Sequence, residues 1–236
     1  MQAAAHPLPL PHQARKQRAD GAEARGQLLL AALRLFAEKG FAKTSIRDIA
    51  QAAGANVAAI RYYFGDKAGL YRTVFTEALG TPLCDDVARY QAVHLSLRQA
   101  LEALMADFLA PMKQSELAQQ LTRLNFREML EPTGLWAEQI DSGVFPAHTA
   151  LVEVLRRHLS IPQADDDVHR LAFSIHGLAM QMFVTRDAIE AVRPQLIATP
   201  QAIDLWAARL ADFAEAMVVA EQARRQPRAL EKKTQA

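Results

Sequence analysis

Apolar residues recur at helical spacing along almost the whole chain, and no stretch alternates apolar and polar residues as a half-buried strand would. Between Glu23 and Lys39, for example, leucine, alanine and phenylalanine side chains share one helical face. Gly40 follows this segment at the position where a left-handed C-terminal cap is needed. The pattern predicts an all-α fold.

Beyond residue 82, prolines and the apolar pattern together divide the chain into helices, because proline cannot continue a helix interior. The boundary prolines are Pro111, Pro132, Pro162, Pro194 and Pro200, and Pro146 is expected to kink the third segment. The predicted helical segments are 86–110, 115–130, 135–160, 166–187 and 200–225. Helices of this length must bury broad apolar faces against one another or against a partner chain.

Composition is typical of a globular protein in a reducing compartment. Half of the 236 residues are hydrophobic, which is enough for one or two cores, and no run of 18 or more apolar residues could span a bilayer. Pro7, Pro9 and Pro11 interrupt the segment where a secretory signal would lie. The single cysteine, Cys84, cannot form an internal disulfide. We therefore expect a cytoplasmic protein that does not associate with membranes.

Charge is divided unevenly along the chain. Residues 1–80 hold 11 Lys and Arg against 6 Asp and Glu, whereas the remaining residues hold 16 against 20. A positive first half favours contact with nucleic acid, but a difference of this size is also common on ordinary protein surfaces. Charge alone therefore does not establish a nucleic-acid partner.

Two short helices joined by a tight turn are predicted between residues 45 and 64. Ser45 followed by Asp48 is a capping-box pattern that opens the first helix. Gly54 then permits a tight turn, and Asn56 can cap a second helix that ends near Phe64. These are the dimensions of a DNA-binding helix-turn-helix, although similar helix pairs also occur in all-helical proteins that do not bind DNA.

The same residues resemble the N-terminal signature of the TetR family of bacterial regulators. The matching segments are 35–41 (LFAEKGF), 44–50 (TSIRDIA), Ala53-Gly54, and Tyr62-Tyr63-Phe64 with Lys67 and Leu70. Segments 56–60 (NVAAI) and 126–132 (FREMLEP) resemble the CecR-like branch of that family. The resemblance therefore covers most of the chain.

The resemblance implies a transcription regulator, with a ligand-released repressor as the expected form. Such a protein is a homodimer that binds a palindromic operator in double-stranded DNA, with a small-molecule effector pocket in each C-terminal domain. We expect a disordered arm over 1–22, a DNA-binding domain over 23–70, a helical ligand-binding and dimerisation domain over 71–225, and a flexible tail over 226–236. A DNA-binding protein that responds to no ligand shares the first domain and is the alternative.

The second short helix is expected to lie in the major groove as a recognition helix, with Ile60 and Phe64 in the core. Arg61 is the residue on it that can pair bidentately with guanine, so it should read the sequence. Phosphate contacts are expected from Thr44, Ser45, Tyr62 or Tyr63, and Lys67, and Arg47 could serve a phosphate, a base edge or only the solvent. The full predicted DNA-binding set is Thr44, Ser45, Arg47, Asn56, Val57, Ala58, Ala59, Arg61, Tyr62, Tyr63 and Lys67.

Two positions depart from the family pattern. Many members have lysine at the position of Val57, and tyrosine or asparagine at that of Arg61. The apolar leading edge formed by Val57, Ala58 and Ala59 cannot hydrogen-bond to bases but can contact thymine methyl groups. We therefore expect recognition of one guanine combined with methyl and shape contacts.

The last two long helical segments carry wide apolar faces, which form a four-helix dimer interface in the resembled family. An intramolecular core is the alternative for each residue. The residues concerned are Leu171, Ile175, Leu178, Ala179 and Met182, followed by Leu205, Leu210, Phe213 and Met217. As a group they favour a dimer, because a two-fold operator requires a two-fold protein.

Aromatic and methionine side chains are candidates for an adaptable apolar pocket, which would hold a hydrophobic or planar ligand. Plain core packing is the alternative for each of them. The candidate ligand-binding residues are Phe108, Met112, Phe126, Met129, Trp136, Phe173, His176, Met180 and Phe183.

The sequence offers only a few weak catalytic or metal-binding patterns, so we expect that the protein is not an enzyme and binds no cofactor. The run Asp165-Asp166-Asp167 with His169 could suggest a metal site, but acidic residues are also favoured in the first turn of a helix. His148, His158 and His176 have no histidine partners at the four-residue spacing of a zinc pair. An all-helical enzyme remains the more distant alternative.

Overall fold

Helices form the regular structure of the chain, and no strand occurs in the part that the structure describes. The computed structural model describes the backbone of residues 11–78 and 87–234, with the side chains of these residues apart from 11–20, 78, 138–139, 142 and 227–234. Contacts divide the chain into two compact units, Met1–Gly80 and Thr81–Ala236. The predicted all-α fold is confirmed.

The first unit contains four helices of the described chain: α1 (Pro11–Lys43), α2 (Ile46–Ala52), α3 (Val57–Phe64) and α4 (Lys67–Thr73), which a π-helical turn extends over Val74–Ala78. Their apolar faces meet in a core that includes Leu28, Phe36, Ile49, Ile60 and Leu70. Phe36 and Tyr71 pack edge to face at 4.8 Å between ring centroids. This core fixes α2 and α3 on α1 and α4.

In the second unit, the described helices are α5 (Val87–Gln91), α6 (Leu97–Leu109), α7 (Glu116–Leu130), α8 (Trp136–Gln139), α9 (Phe145–His158), α10 (Asp166–Val184), α11 (Arg186–Val192) and α12 (Pro200–Thr234). Their core draws mainly on α6, α9, α10 and α12 and includes Leu101, Met105, Leu155, Ile175 and Leu210. None of the described helices is long and apolar enough to cross a membrane.

Predicted local signals around the helix-turn-helix are confirmed. Gly40 interrupts α1 with a φ of 77°, and Gly54 turns the chain with a φ of 61°. Ser45 and Asp48 form a reciprocal capping box, and the Asn56 side chain accepts a hydrogen bond from the Ala58 N–H at 2.9 Å. The turn chemistry therefore sets both helix starts.

Both chain ends are helical where the structure describes them. Residues 11–22 continue α1 and residues 226–234 continue α12, while residues 1–10, 235 and 236 lie outside the described residues. Alanine, arginine, glutamine, lysine and glutamate dominate both segments, and these residues have high helix propensity. Pro11 occupies the first helical position of α1, where a missing N–H costs nothing.

Helix boundaries in the second unit differ from prediction at three places. The segment 86–110 divides into α5 and α6, because Ser96 forms a capping box with Gln99 and starts a new helix. The kink expected at Pro146 is a π-helical turn over Ile140–Val144, after which Pro146 lies in the first turn of α9. The segment 166–187 ends at Val184, and α11 begins two residues later.

Most of the apolar residues proposed for a dimer face lie instead in the core of their own unit. Leu171, Ile175, Ala179, Met182 and Leu210 are buried there, and Leu178 and Met217 are half-buried against the core. Leu205 and Phe213, both on α12, are the exceptions, with 68% and 48% of their surface exposed. The intramolecular alternative therefore holds for the larger part of this set.

Candidate nucleic-acid interface and ligand cavity

The outer face of α3 is open to solvent while its inner face is buried. Ile60 and Phe64, predicted to lie in the core, are buried, whereas Arg61 is exposed and Tyr62 exposes 82% of its surface. Asn56 and Ala58 are also exposed, and Val57, Ala59 and Tyr63 are half-buried. The structure thus places the predicted reading residues on one accessible surface.

Arg47 on α2 and Arg61 on α3 are both exposed cations. Neither side chain forms a hydrogen bond or ion pair with another residue in the described part of the chain. Their guanidinium groups therefore present all their donors to solvent, as a phosphate or a guanine edge would require.

Tyr62 and Tyr63 have different environments although they are adjacent. Their rings meet edge to face at 4.9 Å. The Tyr63 hydroxyl lies against α1 near Gly21, where a Cβ atom would approach it to 3.2 Å. Of the two tyrosines offered for a phosphate contact, Tyr62 is the one whose side chain is free to make it.

The structure corrects the prediction that the Thr44 side chain contacts phosphate. Its side chain is only 1% exposed, and its hydroxyl donates to the Gly40 carbonyl at 2.8 Å, with the Leu35 carbonyl at 3.1 Å. The hydroxyl therefore uses its proton in a hydrogen bond that joins the start of α2 to the end of α1. Ser45, in contrast, is exposed while it caps α2.

The Lys67 ammonium is held close to the protein surface. It lies 4.3 Å from the centroid of the Phe41 ring and donates to the Ala42 carbonyl at 3.4 Å. Partial burial lowers the pKa of Lys67 below its ordinary value. The side chain keeps its charge near the start of α4 in a defined position.

Two contacts that brace this unit were not predicted. Arg25 pairs with both carboxylate oxygens of Glu77, at 2.8 and 2.5 Å, and its guanidinium lies 5.2 Å from the Phe64 ring centroid. A Cβ atom on Gly69 would come within 2.1 Å of the Phe64 carbonyl oxygen. The glycine therefore permits a close approach between α3 and α4. No local sequence pattern predicts this approach.

The second unit contains a cavity of about 330 Å³. The residues around it are Phe108, Asn125, Phe126, Met129, Trp136, Gly143, Val144, Ala147, His148, Phe173, His176 and Met180. They come from α6, α7, α8, α9, α10 and the π-helical turn before α9, so the helix packing of this unit creates the space.

Seven of the nine residues proposed from sequence line this cavity. Met112 does not line it, because this side chain is buried in the core. Phe183 does not line it either, but its ring stacks on that of the wall residue Phe126 at 5.0 Å between centroids. Sequence reasoning missed Asn125 and His148, along with three smaller residues of the wall. Asn125 lies one helical turn before Met129, a spacing that could have indicated it.

His148 lies in the cavity wall and pairs with His169, which is not one of the residues around the cavity. The His148 Nε2 atom lies 2.9 Å from the His169 Nδ1 atom, and the His148 ring stacks on Phe173 at 4.2 Å. The His176 ring lies 6.3 Å from that of His148.

Burial controls the protonation of these histidines. It lowers the pKa of His176 to about 4, with the nearby His148 as a smaller cause, while a hydrogen bond to the Ala172 carbonyl acts in the opposite direction. Burial and then His169 also lower the pKa of His148. Both cavity histidines are therefore neutral at neutral pH.

Three wall residues carry a buried polar atom without a hydrogen-bond partner among the described residues: Asn125 Oδ1, His148 Nδ1 and His176 Nε2. Buried polar atoms are normally paired, and an unpaired one costs about 1–3 kcal/mol. Their concentration around one cavity marks a place where a ligand could supply the missing partners.

The acidic residues Asp165 and Asp167, considered above as part of a metal site, instead serve to cap α10 and to form ion pairs. Asp165 caps α10 by accepting from the Val168 N–H, and it pairs with Arg225 at 2.7 and 2.9 Å, which lowers the pKa of Asp165 to about 2. Asp167 pairs with Arg170 and Arg224. No group of three or more histidine, cysteine, aspartate or glutamate side chains that could hold a metal ion occurs within the described ranges.

Comparisons with known proteins match both units. Residues 28–74 match the family described as bacterial regulatory proteins, tetR family, and residues 97–220 match the C-terminal domain of the HTH-type transcriptional dual regulator CecR. The chain is 29% identical over 145 residues to CecR of Shigella flexneri, a match that covers 57% of this chain and 64% of that protein.

Two other similarities agree with this match. YttP of Bacillus subtilis, a probable HTH-type transcriptional regulator, is 35% identical over 104 residues, or 44% of this chain and 49% of YttP. The matches thus span about half to two thirds of these relatives' lengths. The solved structure of PfmR, a TetR family transcriptional regulator from Thermus thermophilus, shares the fold with a TM-score of 0.56 at 21% identity, covering 79% of this chain and 96% of PfmR.

Proposed function

Because the chain belongs to the TetR family of bacterial transcriptional regulators, with a CecR-type C-terminal domain, we propose that it is a ligand-released repressor. In this proposal a homodimer binds a palindromic operator through α2 and α3, and a small molecule in the cavity of the second unit releases it. The relative CecR is named a dual regulator, so activation at some promoters is compatible with the same machinery.

The exposed face of α3 is the observation that carries the DNA-binding part of the proposal. Arg61 and Tyr62 project from a helix whose other side is locked by Ile60 and Phe64. A recognition helix needs this division, because it must hold a rigid orientation while its outer side chains reach base edges and phosphates. The excess of basic residues within residues 1–80 would attract the DNA backbone.

Exposed apolar residues support the dimer. Leu205 and Phe213 lie two turns apart on α12, and α10 exposes Phe173 and Val184. Large apolar side chains on neighbouring helices are costly in water and are typical of a surface that a partner covers. A second copy of the chain would provide the two-fold symmetry that a palindromic operator demands.

The cavity supports control by a ligand. An apolar space of about 330 Å³ with unpaired polar atoms in its wall has the character of a small-molecule site. Release of DNA requires that the ligand bind more tightly to the free conformation than to the DNA-bound one. A DNA-binding protein without a ligand has no need of such a cavity, which makes that alternative the weaker one.

The test is to map the bound sequence by footprinting on the DNA upstream of the chain's own gene, and then to screen small apolar compounds for release. The proposal predicts protection of two symmetric half-sites about one helical turn apart and loss of protection with at least one compound. Protection that no compound changes would support the ligand-independent alternative. Absence of any protected site would contradict the proposal as a whole.

A further inference from the structure

The chemistry of the cavity wall restricts the ligand, if the wall is that of an effector site as proposed above. Among the described residues, the wall consists of aromatic, aliphatic, methionine, asparagine and histidine side chains, with no lysine, arginine, aspartate or glutamate. An ionised ligand would therefore lose its hydration without gaining a counter-charge, which is strongly unfavourable. The effector should be uncharged.

The unpaired atoms define which polar group the ligand carries. The hydrogen bond from His176 to the Ala172 carbonyl uses the Nδ1–H, so the neutral ring presents a lone pair on Nε2. Asn125 is 3% exposed, and its Oδ1 is likewise an acceptor without a donor. These two acceptors favour a ligand that donates, whereas the third unpaired atom, His148 Nδ1, donates or accepts according to the tautomer of the His148–His169 pair.

The aromatic residues around these acceptors indicate the rest of the ligand. Phe108 and Phe126 contribute rings to the wall, and Phe173 stacks on His148. Flat apolar groups pack well against such rings.

We propose that the effector is an uncharged, ring-containing apolar compound that donates a hydrogen bond, through a hydroxyl or N–H group, to the Asn125 Oδ1 atom or the His176 Nε2 atom. A phenol is the simplest member of this class. Donation by the ligand would pair an acceptor that has no hydrogen-bond partner among the described residues, so the preference for a donor is a property of the wall itself.

A matched set of biphenyl probes tests the proposal by calorimetry on the full chain without DNA. The set is 4-phenylphenol, which donates; 4-methoxybiphenyl, which replaces the hydroxyl proton with a methyl group and only accepts; and biphenyl-4-carboxylate, which is ionised. We expect 4-phenylphenol to bind at least about tenfold more tightly than either of the others.

Variants assign the preference to the named residues. Because the probe has one hydroxyl proton, the advantage of 4-phenylphenol over 4-methoxybiphenyl should fall towards onefold in at least one of Asn125→Leu and His176→Phe, while affinity for the ether stays within about threefold. Met129→Leu, which changes an apolar wall residue, should keep the full advantage. The probe comparison in the unsubstituted protein keeps the test valid even where a variant fails to fold.

Three results would overturn the proposal: equal or tighter binding of the methyl ether, tightest binding of the carboxylate, or no binding of any probe. DNA release is measured separately. If 4-phenylphenol binds with the predicted preference but leaves the DNA complex intact, the inference on ligand chemistry stands and the proposed ligand-released function fails.

Discussion

Arg61 is the one arginine of α3, and its position on the exposed face makes it the side chain best placed to distinguish bases. Lys67, in contrast, is held over Phe41 at the start of α4. The two cations should therefore contribute differently to DNA binding. A planar guanidinium can pair with O6 and N7 of guanine, whereas an ammonium near the backbone acts mainly as a charge.

Arg61→Ala should weaken operator binding by about 1–3 kcal/mol and relax specificity at one base pair. Lys67→Ala should weaken all sequences similarly and reduce the salt slope by about 1. Arg61→Lys is the matched control, because it keeps the charge but loses the bidentate fork, and it should also relax specificity. Affinities for the operator and for single-base variants measure this, and an equal loss of specificity in the Arg61 and Lys67 variants would refute the division of roles.

His176 predicts a stability change at acidic pH. Its folded-state pKa of about 4 lies below the unfolded value, so the unfolded chain binds more protons between these two values. Stability is therefore full above about pH 6.5 and is lost as the pH falls towards about 4, by up to about 3 kcal/mol. His148, whose pKa is also lowered, adds to the loss.

Urea unfolding at about pH 7 and about pH 4.5 measures this loss. His176→Phe should remove most of the contribution of this residue, whereas His94→Gln, which replaces an exposed histidine, should leave the pH dependence unchanged. A His176→Phe protein that loses as much stability on acidification as the parent would show that His176 is not the cause.

At the scale of elements, the contact between α3 and α4 sets the geometry of the recognition helix. A Cβ atom on Gly69 would clash with the backbone carbonyl of Phe64, which cannot move aside as a flexible side chain could. Gly69→Ala should therefore destabilise the protein by about 1–3 kcal/mol and weaken DNA binding.

Gly26→Ala provides the matched control for that substitution. Gly26 lies inside α1 with open space around the added methyl group, so alanine there should stabilise the helix by about 0.5–1 kcal/mol. Chemical denaturation of both variants measures the two changes in the free energy of unfolding. Equal stability of the two proteins would mean that the close approach at Gly69 is unimportant.

The sequence was informative where local chemistry determines an element. The capping residues Ser45 and Asn56 and the turn at Gly54 placed α2 and α3 correctly, because each signal acts within four residues. The Ser96 capping box was equally local but was overlooked. The π-helical turn over Ile140–Val144 has no comparable local signature, so a proline kink was predicted in its place.

The wall of the cavity was less predictable, because it depends on how helices distant in sequence meet. Aromatic and methionine residues could be selected by type, but Asn125 and His148 join the wall only because α7, α9 and α10 converge. The role of Thr44 likewise depends on burial. Its hydroxyl could bind a phosphate or close a helix end, and in the structure it bonds to the Gly40 carbonyl. A single sequence does not distinguish these uses.

At the scale of the whole molecule, the proposed dimer should depend on the apolar side chains that α12 exposes. Leu205→Glu combined with Phe213→Glu should convert a dimer into a monomer, because two charges would have to be buried at the interface. Val93→Glu is the control, since Val93 is 81% exposed and lies outside α10 and α12. Analytical ultracentrifugation measures the mass, and an unchanged mass for the double variant would place any dimer interface elsewhere.

Salt-dependent binding of the chain to DNA from its own upstream region tests the central claim most directly. Fluorescence anisotropy between about 50 and 200 mM salt should show an affinity that falls steeply with salt and exceeds that for a scrambled duplex at every concentration. Binding that is insensitive to salt, or equal for the two duplexes, would contradict the assignment of α2 and α3 as a DNA-reading surface.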